Sequence, residues 1–261
     1  MEGYGPETYG ERIAEVYDEM FHPPTSAADT AAFLAGLAGN GRVLELAIGT
    51  GRIALPLAAK GIEVHGIDAS EAMVAKLRAK PGGQDIPVTI GDFADVGVDG
   101  RYRVIAIVFN TLWALLAQEE QARCVRNVAD HLTEDGAFVT EMYVPDPARF
   151  DRGQRVQVRT IESRRVVMEA SKHDPEKQRV SSQLIALQDG GRISMFPVEL
   201  RYIWPSELDL MAELAALRLS ERWGGWNREP FDSSGWCISV FTKRAGSLSS
   251  AARRGPLQDE G

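Results

Sequence analysis

Gly49-Thr50-Gly51-Arg52-Ile53-Ala54 has the spacing GxGxxA and lies between an apolar run and a helix-periodic run. Glycines so spaced let the backbone turn tightly at a strand end and approach a ligand closely, with a helix N-terminus beside it. Asp68 ends the next strand-like run, nineteen residues after Gly49. A carboxylate there can accept hydrogen bonds from two ribose hydroxyls. These residues describe an adenosine ribose above a glycine-rich turn, a description that NAD also satisfies.

Two further features separate the alternatives. Glu45 stands inside the first strand, four residues before Gly49. A carboxylate so close would repel a pyrophosphate and suits a ligand with positive charge. Gly91-Asp92-Phe93 follows the third strand-like run. Asp92 can accept from an adenine amino group, and Phe93 offers an apolar wall. Ribose, adenine, positive charge and no phosphate together describe S-adenosylmethionine.

The elements that must hold these residues alternate in period. Residues 8–21 carry Tyr9, Ile13, Val16, Tyr17, Met20 and Phe21 at helical spacing, and residues 26–37 read as a second helix. Strands are expected at 42–47, 62–67, 86–91, 102–109 and 136–144. Helices are expected at 51–60, 70–80 (with Ser70 as N-cap) and 117–132. Strands that alternate with helices imply a doubly wound α/β sheet. Residues 154–203 change to period two with a Gly190-Gly191 turn, which predicts three or four antiparallel strands. A helix at 205–219 and a strand at 235–243 follow. The tail from Ala245 is small and polar, and disorder is expected there.

The motifs "ELAIGTGR", "GIDASEAM", "GDF" and "LTEDGAFVTEMY", in this order, resemble those of the class I S-adenosylmethionine-dependent methyltransferases. The resemblance covers residues 8–146 and, more weakly, the final strands. It implies a Rossmann-like α/β fold with a seven-stranded sheet whose last strand is antiparallel. It also implies that Glu45, Ala47, Gly49 and Gly51 line the methionine side of the cofactor. Asp68 would hold the ribose, Ala69 and Met73 would flank the adenine, and Asp92 and Phe93 would bind it. The family usually has glycine where Ala47 stands, and alanine still allows close approach. The N-terminal helix and the antiparallel insert resemble the small-molecule branch that acts on glycine, amino sugars and antibiotic intermediates. In that branch the N-terminal segment closes over the cofactor with its tyrosines toward the sulfonium, which maps onto Tyr9 and Tyr17. The implied units are a helical lid (1–40), the cofactor-binding core (41–150), the insert as substrate cover or homo-oligomer contact (151–203), the end of the core (204–244) and the tail (245–261).

Plainer roles stand beside these. Tyr9 and Tyr17 also suit simple packing against the core, and Asp92 also suits a turn. Phe109 and Asn110 end the fourth strand, where open α/β sheets bind ligands, yet Asn110 equally suits a turn cap. Trp113 and Tyr143 are candidates for the acceptor pocket or ordinary half-buried aromatics. Of the four histidines only His22, near Tyr17, is a substrate-side candidate. Cys124 and Cys237 read as separate buried thiols. No histidine and carboxylate cluster has metal-ligand spacing, so no metal is expected.

The chain of 261 residues carries a net charge of −8 and no basic stripe, which disfavours nucleic acid as partner. The opening residues lack the apolar core of a signal peptide, and no run suits a bilayer span, so a cytoplasmic protein is expected. The expected activity is methyl transfer to a small molecule, an amine ahead of a hydroxyl. A neutral amine needs only alignment and desolvation. Transfer to oxygen wants a base, for which His22 and Asp18 are the weak candidates. The alternative from another class is an NAD-dependent oxidoreductase, and a non-catalytic cofactor-binding module is a third.

Overall fold

The computed structural model describes residues 3–20 and 25–244. His22 and the tail from Ala245 lie outside the described residues. In chain order come α1 (Thr8–Ile13), α2 (Tyr17–Met20), α3 (Ala27–Ala38), β1 (Val43–Leu46), α4 (Ala54–Ala58), β2 (Val64–Asp68), α5 (Glu71–Arg78), β3 (Val88–Ile90) and β4 (Tyr102–Ile107). Then follow α6 (Gln118–His131), β5 (Leu132–Tyr143), β6 (Gln154–Ile161), β7 (Arg165–Asp174), β8 (Arg179–Gln188), β9 (Arg192–Arg201), α7 (Pro205–Leu214), β10 (Leu217–Trp223) and β11 (Trp236–Lys243).

A seven-stranded sheet has the order β3-β2-β1-β4-β5-β11-β10, and β11 runs antiparallel to both of its neighbours. Its central strands are apolar on both faces because helices cover both. Leu44, Leu46, Ile105 and Ile107 pack with Val125 and Val128 of α6 and Leu208 and Met211 of α7. The alternate residues Val43, Val104 and Ala106 pack with Leu34 of α3 and Leu57 of α4. The C-terminal ends of β1, β2, β3 and β4 therefore open along one edge, where the loops at 47–53, 69–70, 91–95 and 108–116 gather. The second sheet, β6-β7-β8-β9, is antiparallel throughout. Its inner face, with Val167, Leu184, Ala186 and Phe196, packs on Tyr9, Ile13 and Tyr17 of the N-terminal segment. Among the described residues no helix is long and apolar enough to cross a membrane.

Three expected helices differ in the structure. The stretch at 8–21 breaks into α1 and α2, with a turn over residues 14–16. Its apolar positions serve the insert while its acids serve the core, and one straight helix cannot supply both. The helix expected at 51–60 shortens to Ala54–Ala58, because Gly51 is left-handed at φ +81° and keeps the preceding residues in the loop. The helix expected at 205–219 ends at Leu214. Ala216 reverses the chain at φ +58°, and Leu217–Trp223 becomes the sheet's edge strand.

The foot of the insert is joined to the core by a buried polar cluster. Gln121 of α6 donates to the carbonyls of Leu112, Leu115 and Arg201 at 3.2, 3.0 and 2.9 Å. Arg201 returns a bond to Gln121 Oε1 and pairs with Glu207 at 2.8 Å. Both ends of the ion pair are largely buried, so removing one leaves the other uncompensated. Arg201→Met should lower unfolding free energy by about 3 kcal/mol or more, read from urea denaturation. A loss below about 1 kcal/mol, the range of a surface pair, would contradict this.

Candidate active site

The glycine loop leaves β1 through Ala47, Gly49 and Gly51, all left-handed at φ +55°, +56° and +81°. A side chain at Gly51 would strike Leu77 of α5, and one at Gly49 would crowd Met73. Asp68, at the end of β2, fixes the loop from beneath. Its Oδ2 accepts from Gly49 N at 2.7 Å and its Oδ1 from Ser70 N at 2.9 Å. Each oxygen has a lone pair left for a hydroxyl donor. Burial pushes its carboxyl above the usual range, against the two backbone donors. Ala69 is half-buried beside it, and Ser70 caps α5 by accepting from Met73 N at 3.2 Å.

Two ionisable side chains are left incomplete here, Glu45 on β1 and Arg52 on the loop. Glu45 is 4% exposed, and its Oε2 has no hydrogen-bond partner. Burial pushes its carboxyl up to about 8, although Arg52 pulls it down. Arg52 Nη1 is likewise buried without a partner, and its guanidinium lies 5.5 Å from the centre of the Phe109 ring. A buried polar atom without a partner is costly, and a ligand carrying both an ammonium and a carboxylate satisfies this pair. S-adenosylmethionine carries both on its methionine end, so the residues present fit it.

The N-terminal segment is fastened over the loop. Asp18 accepts from Thr50 Oγ1 at 2.6 Å and pairs with Lys80 at 2.6 Å, while Lys80 also donates to the Thr50 carbonyl at 2.8 Å. Glu11 accepts from Ser70 Oγ at 2.8 Å and Ala72 N at 3.0 Å, and Glu15 pairs with Lys76 at 2.7 Å. Gly10 permits this approach, since a Cβ there would stand 2.5 Å from that of Ser70. The turn between α1 and α2 brings the rings of Tyr9 and Tyr17 edge to face, with centroids 6.4 Å apart. Burial pushes the Tyr17 hydroxyl up to about 12. The charges acting on it are Arg52, Asp18, Asp68 and Glu45, the same groups that surround the loop. Tyr9 is raised too, first by burial and then by Tyr17, Tyr4 and Glu169 of the insert. Asp18 is drawn upward by burial, but Lys80 and Thr50 outweigh this and hold it below the usual range, which makes it a poor base.

The remaining candidates fall into separate groups. Asp92 Oδ1 accepts from Ala94 N at 2.9 Å, as a turn residue does, and Phe93 is buried in the core beside α6. Phe109 stacks on Trp236 at 6.1 Å, and Tyr143 leans on the same indole at 4.1 Å. Asn110 Oδ1 accepts from Tyr143 N at 2.6 Å, tying the ends of β4 and β5 and not capping the turn after it. Trp113 turns instead toward the foot of the insert. It meets Tyr202 edge to face at 6.2 Å, Tyr202 shares a hydrogen bond with His173 at 3.1 Å, and His173 stacks on Phe150. The Trp113 Nε1 is buried without a partner. Arg52 and Trp236 were missed in the sequence. Arg52 stands in the quoted motif, whereas nothing around Trp236 marks it. Among the described residues no group of three or more His, Cys, Asp or Glu is placed to hold a metal.

Comparison with known proteins places this geometry in a family. The methyltransferase domain family matches residues 43–136. The chain is 43% identical to the solved CcbJ methyltransferase from Streptomyces caelestis, over 93% of this chain and 100% of that one, with a TM-score of 0.88. It is 28% identical to the cypemycin N-terminal methyltransferase of a Streptomyces species, over 92% of this chain and 98% of that protein. The fold is also that of CalS10, an amino pentose methyltransferase from Micromonospora echinaspora solved with S-adenosylmethionine bound. That match has 22% identity, covers 82% of this chain and 89% of the other, and has a TM-score of 0.62. With a near-full-length relative at 43% identity, the chain belongs to the class I S-adenosylmethionine-dependent methyltransferases, in their small-molecule branch.

Proposed function

We propose that the protein transfers a methyl group to an amine nitrogen of a small natural-product or amino-sugar-like acceptor, as a cytoplasmic enzyme without a metal. One observation carries the choice of nitrogen. On the acceptor side assigned here, Asn110, Trp113 and Tyr143 with the neighbouring Trp236, the Glu141 carboxylate is taken by Phe109 N and Trp226 Nε1 and the His173 ring is bonded to Tyr202, so neither is a free base for the acceptor. An amine needs none before attack. The name of one relative, an N-terminal methyltransferase, supports the same reading.

When bound, the cofactor supplies an electrophilic methyl on a sulfonium. Glu45 takes its ammonium and Arg52 its carboxylate, each completing an atom otherwise unpaired. Ala47, Gly49 and Gly51 give the backbone room to approach, and Asp68 offers its spare lone pairs to the ribose. Ala69, Met73, Asp92 and Phe93 are assigned to the adenine end, and Phe109 closes the wall above Arg52. Tyr9 and Tyr17 exclude water, and a cation held against their ring faces gains about 0.5–2 kcal/mol. Residues 1–40 act as the lid and 41–150 as the cofactor-binding core that 204–244 completes. Residues 151–203 are the cover over the acceptor. Their outer face, with Val156, Val158, Ile161, Ile193 and Met195 exposed, is the candidate homo-oligomer contact.

The direct test supplies S-adenosylmethionine with a panel of amino sugars and short peptides with free N-termini, beside their hydroxyl analogues. Mass spectrometry should show a methyl on nitrogen, and methylation of the hydroxyl analogues alone would overturn the nitrogen assignment. The Glu45 assignment has a pH signature. Its carboxyl is held near 8 in the free protein, and a bound ammonium favours the ionised form. Binding therefore releases a proton, and affinity should rise with pH up to about 8. Calorimetry at pH 7 in buffers of different ionisation enthalpy should detect the release, and Glu45→Gln should abolish it. Tyr17→Ala should lower turnover far more than melting temperature, and Tyr17→Phe separates the hydroxyl from the ring. Near wild-type turnover in Tyr17→Ala would reduce the segment to scaffold.

A further inference from the structure

Phe109 and Asn110 follow one another at the C-terminal end of β4 with φ of +57° and +60°. Two consecutive non-glycine residues in the left-handed region are unfavourable, most of all for one as bulky as Phe109. Such a backbone persists only where its surroundings over-determine it. Here Phe109 N donates to Glu141 Oε2 at 2.9 Å, and Asn110 N donates to the Glu141 carbonyl at 3.0 Å. Tyr143 N, two residues further along β5, donates to Asn110 Oδ1 at 2.6 Å. The second carboxylate oxygen of Glu141 is not idle, since Trp226 Nε1, from the loop between β10 and β11, donates to it at 2.7 Å.

Glu141 is 2% exposed near the C-terminal end of β5, with buried Met142 beside it and Ile238 of β11 opposite it. For stability alone this is a poor solution. A buried carboxylate is expensive to desolvate, and glycine at 109 or 110 would take the same turn without steric cost. What the arrangement secures is direction. The Phe109 ring ends between the Arg52 guanidinium and the Trp236 indole, and the Asn110 amide ends against Tyr143.

We propose that Glu141, braced by Trp226, is a positioning residue of the methyl-transfer site: it holds the left-handed Phe109-Asn110 pair so that Phe109 and Arg52 form one wall of the cofactor site. The proposal rests on the assignment of Phe109 and Arg52 to the cofactor made above. Glu141 acts only through these residues and touches no reacting atom.

The test is calorimetric titration of the full chain with S-adenosylhomocysteine, well below each variant's melting temperature. Glu141→Gln keeps the shape but can serve only one of the two donors, and it should bind about tenfold more weakly. Trp226→Phe keeps the Phe109 bond and should lose less than about threefold, even where its melting temperature falls as far. Glu141→Gln/Asn110→Gly should regain part of the loss, because glycine adopts the turn unaided. Wild-type affinity in Glu141→Gln, or affinity losses that simply follow the melting temperatures, would overturn the proposal. If Glu141→Gln does not fold, recovery of a folded, binding protein in the double variant supports the clamp, and failure of the double variant overturns it. A wild type that does not bind the ligand overturns the cofactor assignment first, and this inference with it.

Discussion

One carboxylate holds the site together. Asp68 ties the glycine loop to the end of β2 through Gly49 N and starts α5 through Ser70 N. Ser70 then donates to Glu11, and the close approach at Gly10 seats α1 against α5. The path from the second strand to the N-terminal tyrosines is therefore a short chain of hydrogen bonds. A carboxylate suits the role because it accepts from several donors at once and bonds to a charged acceptor are the strong ones. The two backbone bonds occupy half of its lone pairs, which leaves the others for a ligand.

Much of this was legible in the sequence because it is written in local chemistry. The double-sided apolar strands, the Ser70 cap and the period-two insert each depend on residues a few positions apart. What escaped depends on distant partners. The break between α1 and α2 is set by Asp18 reaching Thr50 and Lys80, and no helical pattern encodes that. The stretch at 205–219 has the spacing of a helix, yet Leu217 is claimed by the edge of the sheet. Trp113 and Tyr143 looked alike as aromatics near a strand end, but one joins Tyr202 and the other Trp236. Glu141 reads as an ordinary polar position in "TEMY" until Phe109 is placed beside it.

The site stores its cost in unpaired groups. In the ligand-free protein Glu45 binds its proton more tightly than an exposed glutamate with its usual value of 4.5. Its ionisation therefore works against folding from that range up to about 8, and stability from this group is lost as pH rises through the window. A bound ammonium reverses the sign, because the ionised form is then the one with a partner. Arg52 opposes Glu45 only in part, since its own Nη1 is left without an acceptor. This pattern favours binding over the stability of the free chain, as pre-organised polar sites do.

The N-terminal segment is gripped on two sides by different forces, and this decides how it can move. Toward the core it is held by Glu11, Glu15 and Asp18 in contacts that lie near the surface. The exposed ion pairs among them, Glu15–Lys76 and Asp18–Lys80, are worth at most about 1 kcal/mol each and weaken with salt, and the bonds from Ser70 to Glu11 and from Thr50 to Asp18 add to them. Toward the insert it is held by Ile13, Tyr9, Tyr17 and Met20 against Val167, Leu184 and Phe196, a contact that water does not screen. Lifting the segment from the glycine loop thus costs least if it stays attached to the insert. The foot of the insert is itself tied to the core by the Gln121, Arg201 and Glu207 cluster, so the insert offers the segment a fixed surface.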